Sequence, residues 1–161
     1  ATALPGVVRR SEPESPRPNA DRFLLDTIGE LRLAYSLATL VVVGRSFGTL
    51  YGSDPLEPAA LGKAVIIGPA IEDFRGAVET LAQAGGIVQT TPDELERELR
   101  RLLSDESARR GLEEAARKCV LANRGASERH AALLRRFLGN SPAEHAPSEG
   151  DPPIRVATSL V

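Results

Sequence analysis

Methionine is absent from the 161 residues, cysteine occurs once, and aromatic residues make up only 4%. The single Cys119 excludes an internal disulfide and fits a reducing, cytoplasmic setting. Neither sign of charge dominates, with 20 Lys and Arg against 22 Asp and Glu. That balance excludes the basic surplus that nucleic-acid binding requires on one face. A hydrophobic share of 42% excludes a highly charged disordered chain. No run approaches the roughly 20 apolar residues that cross a bilayer, and no signal peptide opens the chain, so a soluble domain with a real core is expected. The missing methionine decides nothing by itself, since an initiator can be removed, while a first strand with no partner before it points to a segment missing upstream of Val7.

Proline is scarce where a fold is expected. Of 12 prolines, four lie in residues 1–18, four in 139–161 and four in the stretch between. Residues 1–20 read as a partial strand, Gly6 to Arg10, followed by a proline-rich connection that neither helix nor central strand can traverse. Residues 21–138 read as the folded domain. Residues 139–161 read as a disordered tail of proline, serine, glycine and charge.

Within 21–138, short apolar runs alternate with amphipathic stretches. Phe23-Leu24-Leu25, Leu40 to Val43, Ala64 to Ile67 and Ile87-Val88-Gln89 predict strands, the second and third buried on both faces. Leu31, Ala34, Tyr35 and Ala38 predict one helix, and Pro55 to Leu61 a short one. Phe74, Ala77, Val78 and Leu81 predict another, closed by Gly85-Gly86. Thr91 before Pro92 marks a further start. Leu95, Leu99, Leu102 and Leu103 then face a core, and the run from Ala108 to Val120 repeats the device. A last helix is expected over Ala126 to Leu138. This alternation predicts an α/β fold: a Rossmann-like parallel sheet, right-handed crossovers and helices on both faces.

Ligands of such sheets bind beyond the carboxyl ends of the strands. Three loops fall there: Asp26 to Glu30, Gly44 to Asp54 and Gly68 to Asp73. The second, GRSFGTLYGSD, carries glycines at intervals of four and enters a helix at Asp54-Pro55-Leu56-Glu57. A helix start offers unpaired N–H groups to a phosphate, and Glu57, one turn in, suits two vicinal ribose hydroxyls. The same residues also make a capping box with proline at the first helical position, which needs no ligand. Both readings stand at this point. Neither the dinucleotide fingerprint nor a P-loop is present. Cys119 falls on an apolar helix face as an inert thiol. His130 and His145 lack neighbours at ligand spacing, so no metal site is expected. Arg97, Arg100, Arg101, Arg109 and Arg110 interleave with glutamates as a solvated face. Phe47 and Tyr51 are expected to pin the glycine loop.

Taken together, DTIGELRLAYSLATLVVVGRSF, YGSDPLEPAALGKAVIIGP and EDFR resemble the C-terminal half of the 3-deoxy-D-manno-octulosonic acid (Kdo) transferases of lipopolysaccharide biosynthesis. The likeness runs from about residue 7 to 138. It implies the C-terminal domain of a GT-B glycosyltransferase, a CMP-sugar-binding half that serves inverting transfer of Kdo from CMP-Kdo to a lipid A precursor, with no metal and no cofactor in the chemical step. The catalytic base and the acceptor site would lie in an N-terminal half, so this chain alone would be inactive and carry no catalytic residue. The full enzyme would work at the cytoplasmic face of the inner membrane. Carried onto this sequence, Ile28, Gly29 and Glu30 match one nucleotide-contacting segment. Gly52, Asp54, Pro55, Leu56 and Glu57 match a second, and Ser46 matches a serine near the phosphate. Gly52-Ser53-Asp54 stands where the family has Gly-His-Asn, and Arg45 where it has a second glycine. An ionised Asp only accepts hydrogen bonds where an Asn amide also donates. A degenerate, non-catalytic remnant and a glycosyltransferase for another CMP- or UDP-activated sugar are the alternatives.

Overall fold

A computed structural model describes residues 7–12 and 21–138. The expected tail at 139–161, with His145, lies outside the described residues. One parallel strand pairing starts the chain and two more form its centre. Strand β1 (Val7–Arg9) pairs with β2 (Arg22–Leu24), Val8 lying opposite Phe23. The N-terminal strand therefore finds its partner downstream in the sequence. Helix α1 (Leu31–Leu37) leads into β3 (Leu40–Val43), α2 (Leu56–Ala60) into β4 (Ala64–Ile67), and α3 (Arg75–Gln83) into β5 (Val88–Gln89). The order β3-β4-β5 is parallel throughout, with Val41 opposite Val65 and Ile66 opposite Val88. Helices α4 (Leu95–Ser104) and α5 (Glu106–Ala122) follow. Helix α6 (Ala126–Phe137) belongs to a second unit beginning at Gly125.

Side-chain alternation along β4 explains the two cores. Val65 and Ile67 point to one face and meet Ala59 of α2, Val78 and Leu81 of α3, and Ala116 of α5. Ala64 and Ile66 point to the other and meet Leu102 of α4 and Leu112 of α5. All four β4 residues are fully buried, as a strand covered on both faces must be. Gly85 ends α3 as expected, and the Gly86 N–H returns to the Leu81 carbonyl at 2.8 Å.

Four expectations fail locally. The five strands form two sheets, β1-β2 and β3-β4-β5, rather than one. β3 is not buried on both faces: Val42 is 37% exposed, because β3 has only β4 beside it among the described residues and α4 and α5 cover the β4 side. Leu103 is 58% exposed; Leu102 already occupies the core-facing position, and one residue further turns the side chain about 100° around the helix. Thr91 starts the turn before α4 without a side-chain cap, although Pro92 sits at its first position.

Candidate functional site

The carboxyl ends of β2, β3 and β4 run into the three loops expected to bind. The first is stapled to the chain beyond β1. Thr27 donates its hydroxyl to Glu30 Oε2, and Arg10 donates from Nε and Nη2 to Glu30 Oε1 at 3.2 and 3.1 Å. The Ser11 N–H and hydroxyl reach Asp26 at 3.0 and 2.7 Å, and Arg9 adds a contact at 3.3 Å. The Thr27 hydroxyl first, and Arg10 second, hold the Glu30 carboxyl below the ordinary range; Ser11 does the same for Asp26. Both acids thus fix the loop. What remains presented is the fully exposed Ile28 and the Gly29 backbone at φ +89°.

The glycine loop is built around Ser46, which is fully buried. Its hydroxyl donates to the Val43 carbonyl and accepts the Gly68 N–H at 2.7 Å, while its own carbonyl accepts the Ala70 N–H at 3.0 Å. Ser46 lies beneath the site and ties the β3 loop to the β4 loop. Arg45 closes the loop through Nη2 to the Leu50 carbonyl at 3.1 Å, and the Tyr51 carbonyl accepts from the Asp73 N–H at 3.3 Å. Phe47 packs into the core and pins the loop as expected; Tyr51, at φ +59° and with its ring exposed, does not. Gly52 has φ +96°, and a Cβ there would stand 2.8 Å from the Ala70 carbonyl oxygen. Only glycine fits that crossing.

At the start of α2, the Asp54 carboxylate accepts the Leu56 N–H at 2.7 Å. This is a turn closed two residues on rather than a capping box: among the described residues neither the bond to the Glu57 N–H nor the return bond from Glu57 is made. Pro55 and Pro58 have no N–H, so the helix start offers a ligand the Glu57 amide rather than a ring of donors. Glu57 itself is half-buried, and its carboxylate has no hydrogen-bond or ion-pair partner among the described residues. Tyr35 on α1 faces this spot. Burial, then the charges of Glu57 and Asp54, push its hydroxyl above the ordinary tyrosine value. Its helical spacing placed Tyr35 in an apolar stripe, so pattern alone missed it; as one of six aromatics, between two candidate loops, it was the available signal. Lys63 anchors α1 by donating to the Ser36 carbonyl at 2.8 Å.

The other candidates are structural. Cys119 is half-buried, its thiol 3.7 Å from the Thr80 carbonyl. Arg97, Arg100, Arg101 and Arg110 pair with neighbouring glutamates on the exposed face of α4 and α5. Arg109 also pairs with a neighbouring glutamate, Glu113, at 3.8 Å, but its side chain is largely covered and donates to the Leu102 carbonyl at 3.0 Å, closing α4.

A 3-deoxy-D-manno-octulosonic acid transferase from Haemophilus influenzae is 35% identical over 133 residues, 81% of this chain. The chain belongs to the Kdo transferase family. A Bordetella pertussis member is 34% identical over 142 residues. The crystal structure of the C-terminal CMP-Kdo binding domain of WaaA from Acinetobacter baumannii superposes with a TM-score of 0.65 at 25% identity, over 71% of this chain and 60% of that one. The fold is accordingly that of the C-terminal domain of a GT-B glycosyltransferase. This chain spans about a third of the length of the curated members, 31% and 33% respectively. No family model matches. Among the described residues, no helix is long and apolar enough to cross a membrane.

Proposed function

We propose that this chain supplies the donor-nucleotide site of a Kdo transferase, holding the CMP part of CMP-Kdo while Kdo moves to a lipid A precursor with inversion. The observation that carries this reading is Glu57: a half-covered carboxylate, unpartnered among the described residues, in the PLEP segment at the mouth of the three loops. Its two oxygens accept the two ribose hydroxyls. Ile28 and the Gly29–Glu30 backbone flank the base, and Gly52 lets the chain turn close to the ligand. Pro55 and Leu56 place Glu57, and Ser46 holds the loop from below. Arg45 is the only basic residue in the three loops and meets the phosphate charge. Preorganised donors of this kind stabilise the leaving nucleotide. The acceptor and the base that activates it belong to the remainder of the enzyme, at the cytoplasmic face of the inner membrane.

The test is calorimetric titration of CMP, with CMP-Kdo as competitor, into this chain joined to the N-terminal half of a curated relative. One CMP should bind and be displaced by CMP-Kdo. Glu57→Gln should weaken CMP by about 10- to 100-fold, the loss of a charged acceptor worth roughly 1.5–3 kcal/mol. Absence of heat in a folded sample, or an affinity indifferent to Glu57→Gln, would overturn the reading.

A further inference from the structure

One aromatic residue of the glycine loop is not accounted for by packing. Phe47 meets the core, but Tyr51 is 61% exposed. Its backbone nevertheless holds φ +59°, and it is the only residue other than glycine with a positive φ among the described residues. A bulky side chain adopts that region at a cost. Burial does not offset the cost, because the ring is wet, and a glycine in its place would avoid it. Backbone strain that packing leaves unexplained clusters at ligand sites.

The neighbours of Tyr51 fix where the ring is presented. The Tyr51 carbonyl accepts the Asp73 N–H at 3.3 Å, and the Leu50 carbonyl just before it accepts Arg45 Nη2 at 3.1 Å. Gly52, just after it, passes so close to the Ala70 carbonyl that a Cβ would clash. The backbone is thus pinned against the third loop, Gly68 to Asp73, while the ring stays exposed, shortly ahead of the α2 start. The donor-site reading puts the base at the first loop and the ribose on Glu57. Base and phosphate leave a ribose at different ends, so phosphate and sugar extend towards the loop that remains, which is the third.

We infer that Tyr51 is a specificity-determining residue, its ring a platform for the sugar of the nucleotide-sugar donor and not for the nucleotide. This inference rests on the donor-site reading above. The face of an aromatic ring is negative and attracts polarised C–H groups, while the phenol hydroxyl offers a polar tip to sugar hydroxyls. A pyranose presents C–H groups on its faces, and a 3-deoxy sugar such as Kdo has a methylene where other sugars carry a hydroxyl. A ring held in place before the ligand arrives loses little freedom on binding, and that is what the strained backbone contributes. Binding of the nucleotide part proceeds without it.

The experiment compares CMP with CMP-Kdo on the joined protein of the donor titration and on its variants at Tyr51. Tyr51→Gly removes the ring and accepts φ +59° freely. Tyr51→Asn removes it with a side chain that tolerates the left-handed region, and Tyr51→Phe keeps it. The Gly and Asn variants should bind CMP-Kdo about tenfold more weakly and CMP as before, while the Phe variant stays within about threefold of the parent for both. In NMR spectra, the C3 methylene protons of bound Kdo should move upfield under the ring current of the parent and of Tyr51→Phe, and lose that shift in the other two. The Asp73 amide, bonded to the Tyr51 carbonyl, should exchange at the same rate in all samples; faster exchange in step with the loss of CMP-Kdo would mean a moved loop and overturn the platform. Equal weakening of CMP and CMP-Kdo, or an unchanged affinity for CMP-Kdo, would overturn it too. Absence of CMP binding by the parent defeats the donor-site reading itself, whereas intact CMP binding without a sugar-specific loss defeats this inference alone.

Discussion

The β3-β4-β5 layer and the β1-β2-α1 layer share parallel strands and adjoining loops, yet different forces hold them. In the first, β4 is covered on both faces, and Ile66, Ile67, Leu81 and Leu102 are removed from water. In the second, Phe23 is 74% exposed and the ties are polar: Arg10 to Glu30, and Ser11 and Arg9 to Asp26. The three candidate loops come from both layers. The dry layer therefore sets global stability, while the wet layer sets whether the first loop is in place when a ligand arrives.

The largest test of this contrast is paired truncation. Ile67→Ala removes a fully buried side chain from the core shared with α2, α3 and α5 and should cost about 3–4 kcal/mol. Phe23→Ala should cost less than about 1 kcal/mol, since most of its surface already meets water. Urea denaturation read by far-ultraviolet dichroism separates the two. Equal losses would mean that the layers fold on one shared core.

Next in size is Gly52→Ala. The substituted residue must hold φ +96° and bring its Cβ to 2.8 Å from the Ala70 carbonyl, so the loop has to move. A loss of about 2 kcal/mol is expected, since the left-handed region alone costs roughly 1–2 kcal/mol. The Ser46–Gly68 hydrogen bond provides a local readout: the Gly68 amide should exchange faster, whereas amides of α4 should not.

Acid should reach the wet layer first. Asp26 and Glu30 have carboxyls held below their ordinary values by Ser11, Thr27 and Arg10. Their contribution is present above the unfolded value, about pH 4, and is lost as pH falls through the lowered folded values. NMR signals of Val7 to Arg10 and of Thr27 to Glu30 should shift or broaden in that window while those of β4 stay fixed. The double variant Asp26→Asn, Glu30→Gln should remove the pH dependence. A transition shared by β4 would dissolve the distinction between the layers.

Legibility in the sequence followed the same division. Ala64 to Ile67 is a continuous apolar run stopped by glycine, and its burial on both faces is as read; Leu40 to Val43 reads the same way, yet with one strand neighbour among the described residues it leaves Val42 wet. Val7 to Arg9 and Arg22 to Leu24 gave weaker signals, and the split of the sheet was invisible, because strand neighbours are a property of topology rather than of any local pattern. The α2 motif was legible as a segment and ambiguous as chemistry. Asp54 closes the turn ahead of the helix on the Leu56 N–H, without the bonds of a capping box. Tyr35 was hidden because a phenol has an apolar body that satisfies helical periodicity and a polar tip that the periodicity ignores.

The smallest expected effect bears on Asp54, where the two layers meet through Tyr35. Asn caps helices as well as Asp does, so Asp54→Asn should leave the Leu56 N–H satisfied and the denaturation midpoint unchanged. It removes one negative charge near the proposed phosphate, worth roughly 1 kcal/mol at solvent-screened separations. CMP should then bind about fivefold more tightly, and the gain should shrink as salt is raised, because an exposed charge is screened. Tyr35 offers an independent check. With a nearby charge gone, its hydroxyl should ionise at lower pH in an ultraviolet titration, though burial, the larger cause, still holds it above the ordinary value. A shifted Tyr35 with unchanged CMP affinity would separate the acid from the phosphate and leave Asp54 as a helix cap alone.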